Sequence, residues 1–173
     1  MQASKKIYLP FISVILISLL NFNTGCGVYG FNDISINDTI KTIRINLNDN
    51  RAPYVNPQLS PNLTERLKQK INNQTRLTQT NSEDAHYDVI GYVSDYSVST
   101  TGVTNKTEVT NRLTVSVHIS LRRSVNATPE EFDVTRNFEF SATQTLQTAQ
   151  SQLLDEIVRS LTDDIFNRLF SNW

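Results

Sequence analysis

Apolar and polar residues alternate along most of this chain with a period of two, and at two places the period lengthens to that of a helix. Ile43, Ile45 and Leu47 alternate with Arg44 and Asn46, which predicts a strand. Two prolines and several Asn and Asp residues over 48–57 predict a loop. Ser60-Pro61 then opens a helix, the serine as cap and the proline at the first helical position. Leu63, Leu67 and Ile71 fall four apart on its buried face, and Asn72-Asn73 closes it. The run RLTQT is a short candidate strand. Tyr87, Val89, Gly91 and Val93 alternate, and Tyr96 and Val98 resume one residue out of step, which predicts a bulge near Ser94-Asp95. A second register through Ile90, Tyr92, Tyr96 and Val98 avoids the bulge but turns Ser94 inward; the bulged one is preferred.

Leu113, Val115, Val117, Ile119 and Leu121 make the cleanest strand, with Thr114, Ser116, His118 and Ser120 on its other face. Phe132, Val134, Phe138 and Phe140 make the next, interrupted by Arg136. Residues 124–131 between them suit a hairpin, so the two are antiparallel neighbours. Leu153, Leu154, Ile157, Val158, Leu161, Ile165, Phe166, Leu169, Phe170 and Trp173 recur at spacings of one, three and four, an apolar stripe wide enough to bury against a sheet. Asp155 and Glu156 near its start and Arg168 near its end suit the helix dipole. The fold class is therefore α+β: two helices packed on one face of a four- to five-stranded, mostly antiparallel sheet. The uncovered face carries Thr114, Ser116, His118, Ser120, Asp133, Thr135 and Asn137, and is either plainly solvated or a polar contact surface.

The N-terminus follows another rule. Lys5 and Lys6 precede an apolar run over 7–20, too short for a membrane span of about 20 residues. Residues 1–25 read as a secretory signal peptide. Cys26, the only cysteine, directly follows Thr24-Gly25, so it reads as the lipidated first residue of the mature chain, although Asn23 stands where a lipobox usually has an aliphatic residue. Residues 26–38 form a lipidated tether and residues 39–173 a single domain. Several acyl chains, at about 0.8 kcal/mol per buried methylene, anchor a protein durably.

Composition narrows the chemistry. Without its leader, which holds two lysines and no acids, the chain has 14 Lys+Arg against 17 Asp+Glu. That balance and the lack of a basic stripe argue against nucleic acid. His86 and His118 are the only histidines, and neither has a Cys, Asp or Glu at ligand spacing. The pairs Glu83-Asp84, Glu130-Glu131, Asp155-Glu156 and Asp163-Asp164 are adjacent and so do not face one another. No glycine loop cradles a phosphate. The expectation is a protein that is not an enzyme, with no catalytic residues, no metal and no cofactor beyond the lipid on Cys26. Arg112, Arg122 and Arg123 suit phosphates, or cross-strand pairing with Glu130 and Glu131.

Four segments carry a resemblance: GCGVYGF, NRAPYVNPQLSPNLTERLKQKI, NRLTVSVHISL and DEIVRSLTDDIFNRLFSNW. In this order, across the mature chain, they resemble the LptE-like lipopolysaccharide-assembly lipoproteins of Gram-negative bacteria, in a short form ending at the C-terminal helix. The resemblance implies an outer-membrane, periplasm-facing lipoprotein that plugs an LptD-type β-barrel, supports its assembly and assists lipopolysaccharide transport. The alternative is a free-standing periplasmic lipoprotein that binds a small ligand or serves another secretion machine. On the plug reading, Thr114, Ser116, His118, Thr135 and Asn105, the last in the loop over 100–111, contact the barrel. Any contact with lipopolysaccharide runs through Lys106, Arg122 and Arg123. Cys26→Ser is expected to abolish incorporation of labelled palmitate and leave an uncleaved or mislocalised precursor; label retained by the variant would place the lipid elsewhere.

Overall fold

The computed structural model describes residues 36–101, 110–123 and 127–170. All lie in one compact unit spanning Asn32–Trp173. Cys26, Asn105, Lys106 and Trp173 fall outside the described residues. Strand β1 is Thr42–Asn50, helix α1 Leu59–Gln74, and strands β2 to β5 are Thr78–Gln79, Tyr87–Thr101, Thr110–Arg122 and Glu130–Ser141. Helix α2, Leu146–Phe170, closes the domain. The sheet order is β2-β1-β3-β4-β5. A helix joins β1 to β2, and a chain returning through a helix re-enters the sheet parallel; β1 pairs in parallel with both β2 and β3. The longer β3–β4 and β4–β5 pairings are antiparallel, as the hairpin signal required.

Parity along each strand sorts the side chains. In β4, Leu113, Val115, Val117, Ile119 and Leu121 are buried, while Thr114, Ser116, His118 and Ser120 between them are not. In β3 the buried set runs Tyr87, Val89, Val93 and then Tyr96, and the β3–β4 register shifts between Val93 and Asp95. The bulge is where the change of parity placed it. Val98, expected inside, is 42% exposed. β1 pairs with β3 only as far as Val93, so Val98 lies beyond its cover. Gly91 sits where strands and core crowd most: a Cβ there would lie 2.6 Å from the His118 carbonyl oxygen and 2.7 Å from Leu47 Cδ2.

Both helices cover the same sheet face. Leu59, Leu63, Leu67 and Ile71 of α1 and Ile157, Leu161 and Ile165 of α2 are fully buried. The start of α1 differs from expectation. Its cap position is Gln58 and Ser60 is already inside the helix, its hydroxyl donating to the Asp49 carbonyl at 3.4 Å. The cap has no side-chain hydrogen bond to the helix, and Asn56-Pro57 instead shapes the turn that leads into it. Asn56 Oδ1 accepts the Gln58 N–H at 3.0 Å, and Asn56 Nδ2 donates to the buried Tyr96 hydroxyl at 3.4 Å. One buried side chain thus holds the turn before α1 and fastens the helix entrance to β3.

Helix α2 also starts earlier than its large apolar residues suggest. Thr145 Oγ1 accepts the Thr148 N–H at 3.3 Å, which caps the helix before Leu146. The first two turns bury only the small Ala149 fully, so the apolar stripe begins late. Asp155 and Glu156 are consequently mid-helix, not at the positive end; Asp155 instead meets Arg66 of α1 at 3.3 Å. Arg168 does lie in the last turn. Phe166 is 5% exposed, with Phe170 at 5.0 Å between ring centroids. Phe166→Ala is expected to cost about 3–5 kcal/mol, read as a lowered urea midpoint at unchanged slope; an unchanged midpoint would make the helix peripheral.

Candidate functional site

The uncovered sheet face is built from the other parity of the same strands. Because β4 and β5 pair residue for residue, each outward side chain of one meets one of the other. Arg112 reaches Glu139 at 3.3 Å, Thr114 donates to Asn137 Oδ1 at 2.9 Å, and Ser116 shares a 2.8 Å bond with Thr135. Asp133 Oδ1 accepts from His118 Nδ1 at 2.9 Å. The structure brings Thr114, Ser116, His118 and Thr135 together on one surface, as predicted. Each hydroxyl has one donor and two lone pairs, so a Ser–Thr pair bonded to itself retains capacity for a further partner.

Two rows cross this face. In the first, the Arg51 guanidinium lies 3.9 Å above the Tyr92 ring, Tyr92 is 5.0 Å from the His118 ring, and His118 leads to Asp133. In the second, Arg44 of β1 grips Asp88 of β3 with bonds of 2.7 and 2.8 Å, and Arg122 of β4 adds another at 2.8 Å. The Asp88 side chain is only 3% exposed. Hydrogen bonds from Arg44, and then from Arg122, outweigh the opposing effect of burial and hold its carboxyl below the ordinary carboxylate range.

Arg122 and Arg123 are each engaged by a carboxylate. They diverge to opposite sides of the strand: Arg122 to Asp88, and Arg123 to Glu130 at 3.1 Å and over the Tyr87 ring at 5.6 Å. The pairing of Arg123 with Glu130 is the cross-strand one the hairpin suggested. The Asp88 cluster, the Arg51–Tyr92 stack and the Arg136–Asp164 pair were not singled out from sequence. Charges alone inside apolar strands, Arg44 in TIRINL and Asp88 in YDVIG, were the available signal. Their pairing depends on the parallel register that sets Arg44 opposite Asp88. Arg136, which interrupts the apolar pattern of β5, lies on the helix-covered side and bonds to both carboxylate oxygens of Asp164.

Among the described residues no group of three or more His, Cys, Asp or Glu could hold a metal ion, and no helix is long and apolar enough to cross a membrane. A hollow of about 250 Å³ between α1 and α2 is lined by Arg66, Asp155, Leu154 and Val158 among others, a surface cleft with no catalytic grouping. The chemistry this site offers is hydrogen bonding over a broad, flat area.

The lipopolysaccharide-assembly family LptE matches residues 40–169, which takes in every helix and strand described except the last residue of α2. The chain belongs to that family. LptE proteins are outer-membrane lipoproteins that act in lipopolysaccharide assembly, associate with transport components and are not enzymes. A search of curated proteins finds no match. Among solved structures, a neuraminyllactose-binding hemagglutinin homolog from Helicobacter pylori is 8% identical with a TM-score of 0.51, over 75% of this chain and 81% of that one. A minor lipoprotein from Acinetobacter baumannii is 16% identical with a TM-score of 0.45, over 78% and 95%. The rare lipoprotein B from Shewanella oneidensis is 11% identical with a TM-score of 0.45, over 74% and 91%. At these identities the Helicobacter protein shows a shared fold and nothing about function.

The Asp88 cluster makes the LptE fold acid-sensitive in a defined direction. With the folded carboxyl below its ordinary value of 3.8, the stabilisation is complete above that pH and is lost as pH falls toward the depressed value. Asp88→Asn is expected to be less stable at neutral pH, and to lose less further stability than wild type as pH falls below the carboxyl's ordinary value of 3.8. Parallel acid-unfolding curves followed by circular dichroism would contradict this.

Proposed function

We propose that this LptE protein sits as a lipid-anchored, periplasm-facing plug in the lumen of an LptD-type outer-membrane β-barrel, supports folding of that barrel, and assists passage of lipopolysaccharide to the cell surface. The observation that carries the reading is the uncovered sheet face. It belongs to a chain whose family acts in lipopolysaccharide assembly. Along β4 and β5 its side chains are hydrogen-bonded in register, and the Thr114–Asn137 and Ser116–Thr135 pairs at its middle are short. Barrels with polar interiors present hydrogen-bonding walls, and the Ser, Thr and Asn side chains at the middle of β4 and β5 let such a wall approach closely. A greasy surface would need no water-filled lumen; a Lys- and Glu-rich one would resist desolvation. The lipid on Cys26 supplies the anchor. Direct contact with lipopolysaccharide, if made here, falls to Lys106 together with Arg122 and Arg123. The two arginines already have carboxylate partners, so a phosphate would have to compete with Asp88 and Glu130.

The decisive test is in the membrane. A photoreactive residue at Ser116 or Asn105 is expected to capture one large outer-membrane barrel in stoichiometric amount, and depletion of the lipoprotein to lower the folded form of that barrel. Capture of soluble periplasmic proteins alone, with barrel levels unaffected, would favour a free-standing lipoprotein serving another machine.

A further inference from the structure

The two edges of the sheet are unlike. One is β2, two residues long, the kind of short edge by which proteins avoid pairing with other chains. The other is β5, with twelve residues and no proline, or roughly 40 Å of backbone at strand rise. Among the described residues no strand lies against its outer side, so alternate N–H and C=O groups point outward without a strand partner.

Charged side chains often guard such an edge, and here most of them are engaged by partners on or next to β4. Glu139, Asn137, Thr135 and Asp133 are each hydrogen-bonded back toward β4, to Arg112, Thr114, Ser116 and His118. Glu130 is likewise held by Arg123. On the helix side a cavity of about 400 Å³ opens along the middle of the strand, bounded by Val134 and Arg136 of β5 and by Asp164 and Asn167 of α2. Its charges are matched internally, Arg136 with Asp164, while Arg168 lies over the Phe132 ring at 5.6 Å.

We propose that β5 is a docking edge that receives an extended, uncharged polar segment of the barrel partner as a sixth strand. The proposal rests on the barrel reading for the chain that donates the segment. An extended backbone is required because only a strand offers donors and acceptors at the spacing of the edge. An uncharged segment fits because an ion entering the cavity would be desolvated beside counter-charges already engaged. The donor is a loop or terminal segment inside the lumen, since wall strands of a closed barrel have both edges paired. A second copy of this chain is the competing donor, and registered attachment of β5 to β5 would identify it.

The test places photoreactive residues singly at Glu131, Thr135 and Glu139 in the full-length lipoprotein, within intact outer membranes, and maps the crosslinked peptides. The expected result is one continuous segment of the barrel chain, with attachment points stepping by about four residues between successive sites, as paired strands require. Hydrogen exchange on the purified complex is expected to show alternate β5 amides protected on the order of tenfold or more relative to the free lipoprotein. Barrel capture through Ser116 with β5 attachments scattered over several wall strands, or with β5 amides unprotected, overturns strand addition and leaves the plug reading standing. Registered attachment to a segment of another protein overturns the barrel as donor. No barrel captured from any position overturns both.

Discussion

The sheet is covered on one face only, and almost everything else follows from that constraint. With both helices on the same side, every strand residue has one of two environments, chosen by parity. One parity must fill the space beneath α1 and α2, which β4 does without a break from Leu113 to Leu121. The other parity faces no helix, and a sheet face left bare carries polar groups that must find partners across the strands. The β4–β5 ladder of hydroxyl, amide and carboxylate groups is that solution, and it is also what makes the face suited to a hydrogen-bonding partner.

Where the constraint is strained, charge steps in. Asp88 is almost wholly buried although it lies on the polar parity. A carboxylate there holds its charge only because two arginines from neighbouring strands supply three hydrogen bonds. The cluster ties β1, β3 and β4 together at one end of the sheet. At the other end Asn56 does comparable work with neutral groups, joining the start of α1 to Tyr96 of β3. On the covered side, Arg136 breaks the apolar pattern of β5 and takes Asp164 from α2 as its partner, so even the exception on that face serves helix–sheet packing.

Among the described residues no three or more His, Cys, Asp or Glu are grouped, and the two histidines have separate partners, His86 the Thr42 hydroxyl at 2.6 Å and His118 the Asp133 carboxylate. Adhesion of a broad polar face depends on shape and register, quantities spread over many weak contacts. A partner-binding face of this kind has no single residue whose identity announces it, in contrast to an active site, where a few perturbed groups stand out.

Local periodicity was enough to read most of the buried apolar residues in β1, β3, β4 and α2, Val98 excepted, because parity and the helical repeat act on neighbours in sequence. It also located the bulge between Val93 and Asp95 and the hairpin between β4 and β5, and the chain's segments carried the family resemblance. Helix starts were misread, since they depend on where the Asn56 turn and the Thr145 cap sit relative to backbone amides and not on the composition of the apolar stripe. Only the tertiary structure decided the strand order, the parallel pairing of β1 with β3, and hence the meeting of Arg44, Arg122 and Asp88. Those residues are 34 and 44 positions from Asp88 in the chain, and no local rule reaches that far. The same holds for the open edge of β5: a strand's own residues record its faces, whereas its place at the border of a sheet is a property of the whole fold.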